Sequence, residues 1–283
     1  MTHARVNARV GALLPSGIRA IQEHKRPTSI DLSVGQPSLR PDPQPLFAAA
    51  RWVEEHGCAY PPYAGFEELR ELAGRAFGAR SAANVCVTNG SQEAIYLAIK
   101  TLLEPGRDEA LVVDPGYPSY PRCCALEGVA VRAVRARPED GFRIHAEVLI
   151  EALTPATRLI ALGSPANPSG AVFGRDDIGR LAQALRARTG EPVYVLVDEV
   201  YRELCFGPQP FASLADEYEH TIVVQSLSKS CALTGLRLGF LIGPADIIGP
   251  ATRAHTLMFM STSVPAQRAA IEILREPETL RAH

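Results

Sequence analysis

No run of apolar residues in this chain approaches the ~20 needed to cross a bilayer. The N-terminal "MTHARVNARVGALLPSGIRAI" lacks the continuous apolar core of a secretory signal. It also lacks acids before Glu23, a transit-peptide trait that an amphipathic first helix accounts for more simply. A net charge of −2 over 283 residues leaves no electrostatic footprint for nucleic acid or an anionic membrane. There are no repeats, no low-complexity tract and no helix-turn-helix ahead of the main domain. Six cysteines are present without CxxC or other metal spacing. Cys123 and Cys124 adjoin, which suits neither a disulfide framework nor a zinc knuckle. Buried free thiols in a reducing cytoplasm are the expectation, with no metal.

What remains is a long alternation. The β-branched runs "ALVVDP" (110–115), "VAVRAV" (129–134), "RLIALGSP" (158–165), "VYVLVDEV" (193–200), "TIVVQS" (221–226) and "LRLGFLIG" (236–243) are separated by helical stretches. Those stretches include "SQEAIYLAIKTLL" after Gly90 and "RDDIGRLAQALRART" from Arg175. The pattern predicts an α/β fold with a mainly parallel or mixed sheet sandwiched by helices. "PSLRPDPQPLF" reads as an extended connector into the helix "FAAARWVEEHG". Ligands of such sheets sit beyond the carboxyl ends of the strands. Nearly every run here ends in polar or turn residues: "DPGYPSY", "SPANPSG", "DEVY" and "SLSK". Together they predict one shared site.

Lys229 is the residue that gives this site a chemistry. A lysine is ordinarily a solvated surface residue, but this one follows a buried-looking strand and precedes an apolar segment. A desolvated amine has a lowered pKa and forms Schiff bases with carbonyls, for which pyridoxal phosphate is the common aldehyde. In "TNGSQEAI" a glycine turn enters a helix, so the amides of Ser91 and Gln92 would face an anion at the positive end of the helix dipole. A merely well-capped helix would look the same. Arg237, set in the apolar "GLRLGF", is costly unless paired. A phosphate would pair it, with Ser226 and Ser228 offering hydroxyls.

Taken in order, "VTNGSQEAI", "DPGYPSY", "SPANPSG", "VDEVY" and "SLSKSCALTGLRLGF" resemble the fold-type I pyridoxal-phosphate enzymes, specifically the class I/II aminotransferases of the aspartate aminotransferase-like superfamily. The resemblance extends from "VGQPSL" to "STSVPAQRAA". It implies that Asp198 faces the cofactor's pyridine nitrogen, where an isolated Asp after a strand would be read as a helix cap. Tyr201 and Asn167 would share its phenolic oxygen, and Tyr117 would stack on the ring. Tyr60 would reach the phosphate of a partner subunit in a homodimer, and the backbone at Gly35 would contact the substrate carboxylate together with Asn167. Glu199 matches no ligand. The activity implied is amino transfer between an amino acid and a 2-oxo acid through a Schiff base on Lys229. A β-lyase or decarboxylase uses the same lysine and ring contacts, and a non-catalytic cofactor-binding chain is the reading from another class. The stretch "TLMFMSTS", where dicarboxylate-specific relatives place an arginine, is apolar and points to a neutral or hydrophobic substrate.

The domain reading is an N-terminal arm with the first part of a small domain over 1–45, a cofactor-binding large domain over 46–275, and the start of a connecting helix over 276–283. The family's arginine for the α-carboxylate belongs to a segment beyond the resemblance, and no residue of 1–283 takes its place.

Overall fold

The central strands assemble because their apolar runs are covered on both faces, while the edge strand over 130–135 is mostly exposed. In the computed structural model, which describes residues 5–14, 17–79, 81–206 and 210–276, a seven-stranded sheet has the order β1-β7-β6-β5-β4-β2-β3. The strands are β1 (Val85–Thr88), β2 (Glu109–Asp114), β3 (Ala130–Arg135), β4 (Thr157–Gly163), β5 (Tyr194–Asp198), β6 (Thr221–Ser226) and β7 (Gly239–Ile242). Adjacent residues of β4 face opposite ways: Leu159 and Ala161 enter one core, Ile160 and Leu162 another. That is why the strand reads as a continuous apolar run instead of an alternation.

The helices are α1 (Ala8–Gly11), α2 (Gly17–Glu23), α3 (Gln44–His56), α4 (Glu67–Phe77), α5 (Ser91–Leu102), α6 (Ser119–Glu127), α7 (Ala146–Glu151), α8 (Arg175–Arg186), α9 (Leu227–Ser230), α10 (Ala245–Phe259) and α11 (Val264–Arg275). Residues of α5, α6 and α10 cover one face of the sheet. Those of α4 and α11, with α7 and α8 further along, cover the other. No helix among the described residues is long and apolar enough to cross a membrane.

Four expectations change. The first helix is two short pieces, α1 and α2, and no residue of α1 is buried; Gly11, at its end, is a poor helix former. Strand β1, "VCVT", is absent from the strands read in the sequence because four residues are too few to show a period. The run at 236–243 supplies strand only from Gly239, since Thr234–Leu236 is a 3₁₀ turn and Arg237 is left-handed. The thiols are buried at Cys86, Cys123, Cys124 and Cys231, but Cys58 is exposed and Cys205 half-buried. Burial pushes Cys86 and Cys123 up to about 11, which leaves them unreactive. The expected connecting helix over 276–283 lies outside the described residues apart from Glu276.

β7 is the strand that organises the site. It runs antiparallel to both neighbours, with Gly239 opposite Thr88 on one side and Ser226 on the other. Its start therefore lies at the edge where β1, β4, β5 and β6 end.

Candidate active site

That edge collects the side chains. Asp198 is the last residue of β5, and its backbone carbonyl accepts from Ser164 N at 3.0 Å, tying the loop of Asn167 to it. Ser226 ends β6 and caps α9 through its hydroxyl, which accepts from Ser228 N at 3.1 Å. Lys229 thus stands on a short, well-capped helical turn just past the sheet. Its Nζ donates to the carbonyl of Gly35 and lies 5.7 Å from the centre of the Tyr201 ring. A side chain at Gly35 would meet the Tyr201 hydroxyl at 3.1 Å and Lys229 Nζ at 3.5 Å, so the backbone there lies directly over both groups.

The electrostatics follow from burial. Asp198 is pushed up to about 6 because it is desolvated; the Val200 N–H and the Tyr120 hydroxyl, each 3.3 Å away, and the charge of Lys229 pull it part of the way back. Lys229 is lowered, first by burial and also by Arg237, against the pull of Asp198. Tyr201 is raised by burial, then by Asp198 and Tyr117. Lys229 and Tyr201 therefore both feel the charge of Asp198. Among the described residues Asp198 has no ion-pair partner within salt-bridge distance.

A second cluster forms where α5 begins. Arg237 adopts φ 54°, a left-handed conformation that costs a non-glycine residue roughly 1–3 kcal/mol. Its Nη1 donates to Thr234 O at 3.0 Å, and its guanidinium fills the space that a side chain at Gly90 would need. Gly90, with φ 84°, is the N-cap of α5. A cation is thus held at the positive end of a helix dipole, with no carboxylate paired to it among the described residues. The first-turn amides of Ser91 and Gln92 have no acceptor there either. Two positive features this close together can attract an anion.

The remaining expected residues are distributed as follows. The Gln92 side-chain oxygen accepts from Tyr117 at 3.1 Å and from Ser119 at 2.7 Å, and its Nε2 donates to Cys123 Sγ at 3.6 Å, so the side chain is held within the chain. Tyr117 packs edge-on against Tyr120, with centroids 5.8 Å apart. Ser226 Oγ donates to Leu238 O at 2.7 Å and lies 2.9 Å from Ser228 Oγ, so the two serine hydroxyls are hydrogen-bonded to each other behind the start of β7. Asn167 and Tyr201 both line a cavity of about 1260 Å³ that continues past Phe206 and Phe211. Tyr60 is 81% exposed and reaches none of these groups within the chain. Tyr120, which holds Asp198, was not among the expected residues, although it ends the quoted "DPGYPSY". Glu199 is fully buried, accepts from Ser213 at 2.5 Å, and lies 3.6 Å from Arg202. It braces the 210s loop against β5, a role that its place in the sequence does not reveal.

The donor set fits pyridoxal 5′-phosphate: an amine, an unpaired buried acid and an unpaired anion cradle on one sheet edge. The comparisons agree. The sequence profile of the family described as "Aminotransferase class I and II" matches residues 27–282. The probable N-acetyl-LL-diaminopimelate aminotransferase of Bacillus subtilis (strain 168) is 32% identical over 249 residues, which cover 86% of this chain and 62% of that protein. The methionine aminotransferase of Escherichia coli (strain K12) is 33% identical over 267 residues, 91% of this chain and 67% of its own length. The solved aspartate aminotransferase from Thermus thermophilus with maleate superposes with a TM-score of 0.90 at 30% identity, covering 99% of this chain and 75% of that one.

Proposed function

Since this chain belongs to the class I and II aminotransferase family, we propose that it moves an amino group between an amino acid and a 2-oxo acid, using pyridoxal 5′-phosphate held by Lys229. The observation that carries the proposal is the juxtaposition of the half-buried Lys229 amine with Asp198 and the unpaired Arg237 cradle.

Bound there, the cofactor supplies an aldehyde carbon for amines and a ring that accepts electron density. The protein's residues divide the remaining work. Ser91, Gln92, Ser228 and Arg237 hold the phosphate. Asp198 keeps a proton on the ring nitrogen, with Tyr120 and Val200 N–H fixing the carboxylate. Tyr201 and Asn167 donate to the phenolic oxygen, and Tyr117 orients the ring by stacking. Lys229 Nζ, its pKa lowered by burial, takes the α-proton of the substrate and returns it as general base and acid. Gly35 and Asn167 face the substrate carboxylate.

The relatives' names span diaminopimelate, methionine and aspartate chemistry. The family alone therefore leaves the side chain open. In this chain Leu257 to Met260, within "TLMFMSTS", present exposed apolar side chains at the end of α10. They favour a neutral or hydrophobic substrate, met across a homodimer in which Tyr60 reaches the partner's phosphate site.

The test is a visible spectrum of the purified chain with pyridoxal phosphate, followed by a panel of amino acids. The bound-aldehyde absorbance should appear, respond to neutral amino acids and be absent in Lys229→Ala. Ammonia released without an oxo-acid acceptor would make the chain a lyase instead. An absorbance that no amino acid perturbs would make it a non-catalytic binder.

A further inference from the structure

Glu93 and His255 take no part in the chemistry above, yet they form a buried polar pair beneath the α5 turn. Glu93 is 6% exposed and His255 not at all. Glu93 Oε2 accepts from Asn89 N at 2.6 Å and from Asn89 Nδ2 at 2.8 Å, while Oε1 meets His255 Nδ1. The far nitrogen, His255 Nε2, is buried with no hydrogen-bond partner among the described residues. Burying such a pair costs desolvation free energy that two apolar side chains of the same volume would avoid. Packing alone therefore does not explain it.

Its contacts do. Glu93 is the third residue of α5, the position from which a capping-box glutamate reaches back to the N-cap amide. Here it reaches one residue further, to Asn89, which immediately precedes the glycine under Arg237. Thr88 Oγ1 fixes the next carbonyl by donating to Gly90 O at 3.0 Å. The turn is thus held from behind, and the amides of Ser91 and Gln92 are left without acceptors.

We infer that Glu93 and His255 are positioning residues for phosphate. Together they hold the Asn89–Gly90–Ser91 turn so that its free amides and Arg237 converge on the phosphate of the cofactor, with α10 supplying the support through His255. This rests on the pyridoxal-phosphate reading of the site.

The experiment titrates the purified chain, Glu93→Ala and His255→Leu with pyridoxal phosphate and, separately, with unphosphorylated pyridoxal, following visible absorbance. Failure of the unmodified chain to bind pyridoxal phosphate would count against the proposed function itself. Given binding, both variants should weaken pyridoxal phosphate by roughly ten-fold or more, the scale of one lost charge-assisted hydrogen bond. Pyridoxal, which lacks the phosphate, should stay within about two-fold. Equal losses for both ligands, or no loss for either, would overturn the inference. Should neither variant fold, amide exchange in the unmodified chain decides. Asn89 N–H should exchange at least about ten-fold more slowly than those of Ser91 and Gln92 before ligand is added, and inorganic phosphate should then slow the latter two. An Asn89 amide as fast as its neighbours would refute the pair's role.

Discussion

Asp198 is a buried carboxyl without an ion-pair partner among the described residues, and that has a measurable consequence. Its pKa rises from 3.8 to about 6 on folding, chiefly through burial. The folded chain therefore binds more protons than the unfolded one between those values, and stability falls as pH rises through that window. Glu199, raised by burial from 4.5 to about 7, adds a second decline of the same sign. Asp198→Asn keeps an acceptor for Val200 N–H and removes the charge. In melts of the cofactor-free chain, the variant should match the unmodified protein near pH 4 and exceed it by a few degrees at pH 8; each 1 kcal/mol is worth roughly 2–4 °C in a domain approaching this size. Amino transfer should be lost at every pH. The acid that the proposed site needs is one that the fold by itself would be better without. Lys229 stood out in the sequence as an amine following an apolar strand, whereas Asp198 was singled out only through the family resemblance, since an isolated Asp after a strand reads as a helix cap. The roles of Tyr120 and Glu199 were not legible there, because what they touch lies outside their own segments.

Among the elements, β7 decides whether the anion cradle exists. Gly239 lies so close to the α5 turn that a side chain would meet Gly90 C at 2.5 Å and Ser91 N at 2.6 Å. Both are backbone atoms and cannot swing away. Gly239→Ala should therefore lower stability in urea titrations by roughly 1–3 kcal/mol, as overpacking does. It should also weaken pyridoxal phosphate by pushing β7 off the turn. Gly179→Ala, at a position in α8 with nothing within 4 Å, is the control. It should be stabilising by roughly 0.5–1 kcal/mol, since alanine is the better helix former. If the two glycines respond alike, the close approach of β7 to α5 is not what matters.

Over the whole molecule, apolar surface is left uncovered. Leu32 is 90% exposed and Leu257 89%, and Ile30, Phe259 and Met260 are open as well. Large exposed apolar side chains are the raw material of interaction surfaces, and a net charge of −2 provides little repulsion to oppose contact. The unmodified chain should sediment as a dimer or larger species, and Leu257→Glu should shift it toward monomer. A chain that sediments as a monomer at micromolar concentration would remove the support for a site completed by a partner.

The sequence by itself determined the α/β class and the gathering of polar residues at the strand ends, because periodicity and punctuation arise from interactions within a few residues. It carried the amine, the acid, the glycine turn and the arginine as separate local features. Only the tertiary structure decided how they meet. The antiparallel insertion of β7 between β1 and β6 carries Arg237 to Gly90. Glu93 finds His255 across 162 residues, and Lys229 finds the carbonyl of Gly35 across 194. Such contacts depend on which strand enters the sheet, where, and in which direction, and no short stretch of sequence encodes that choice.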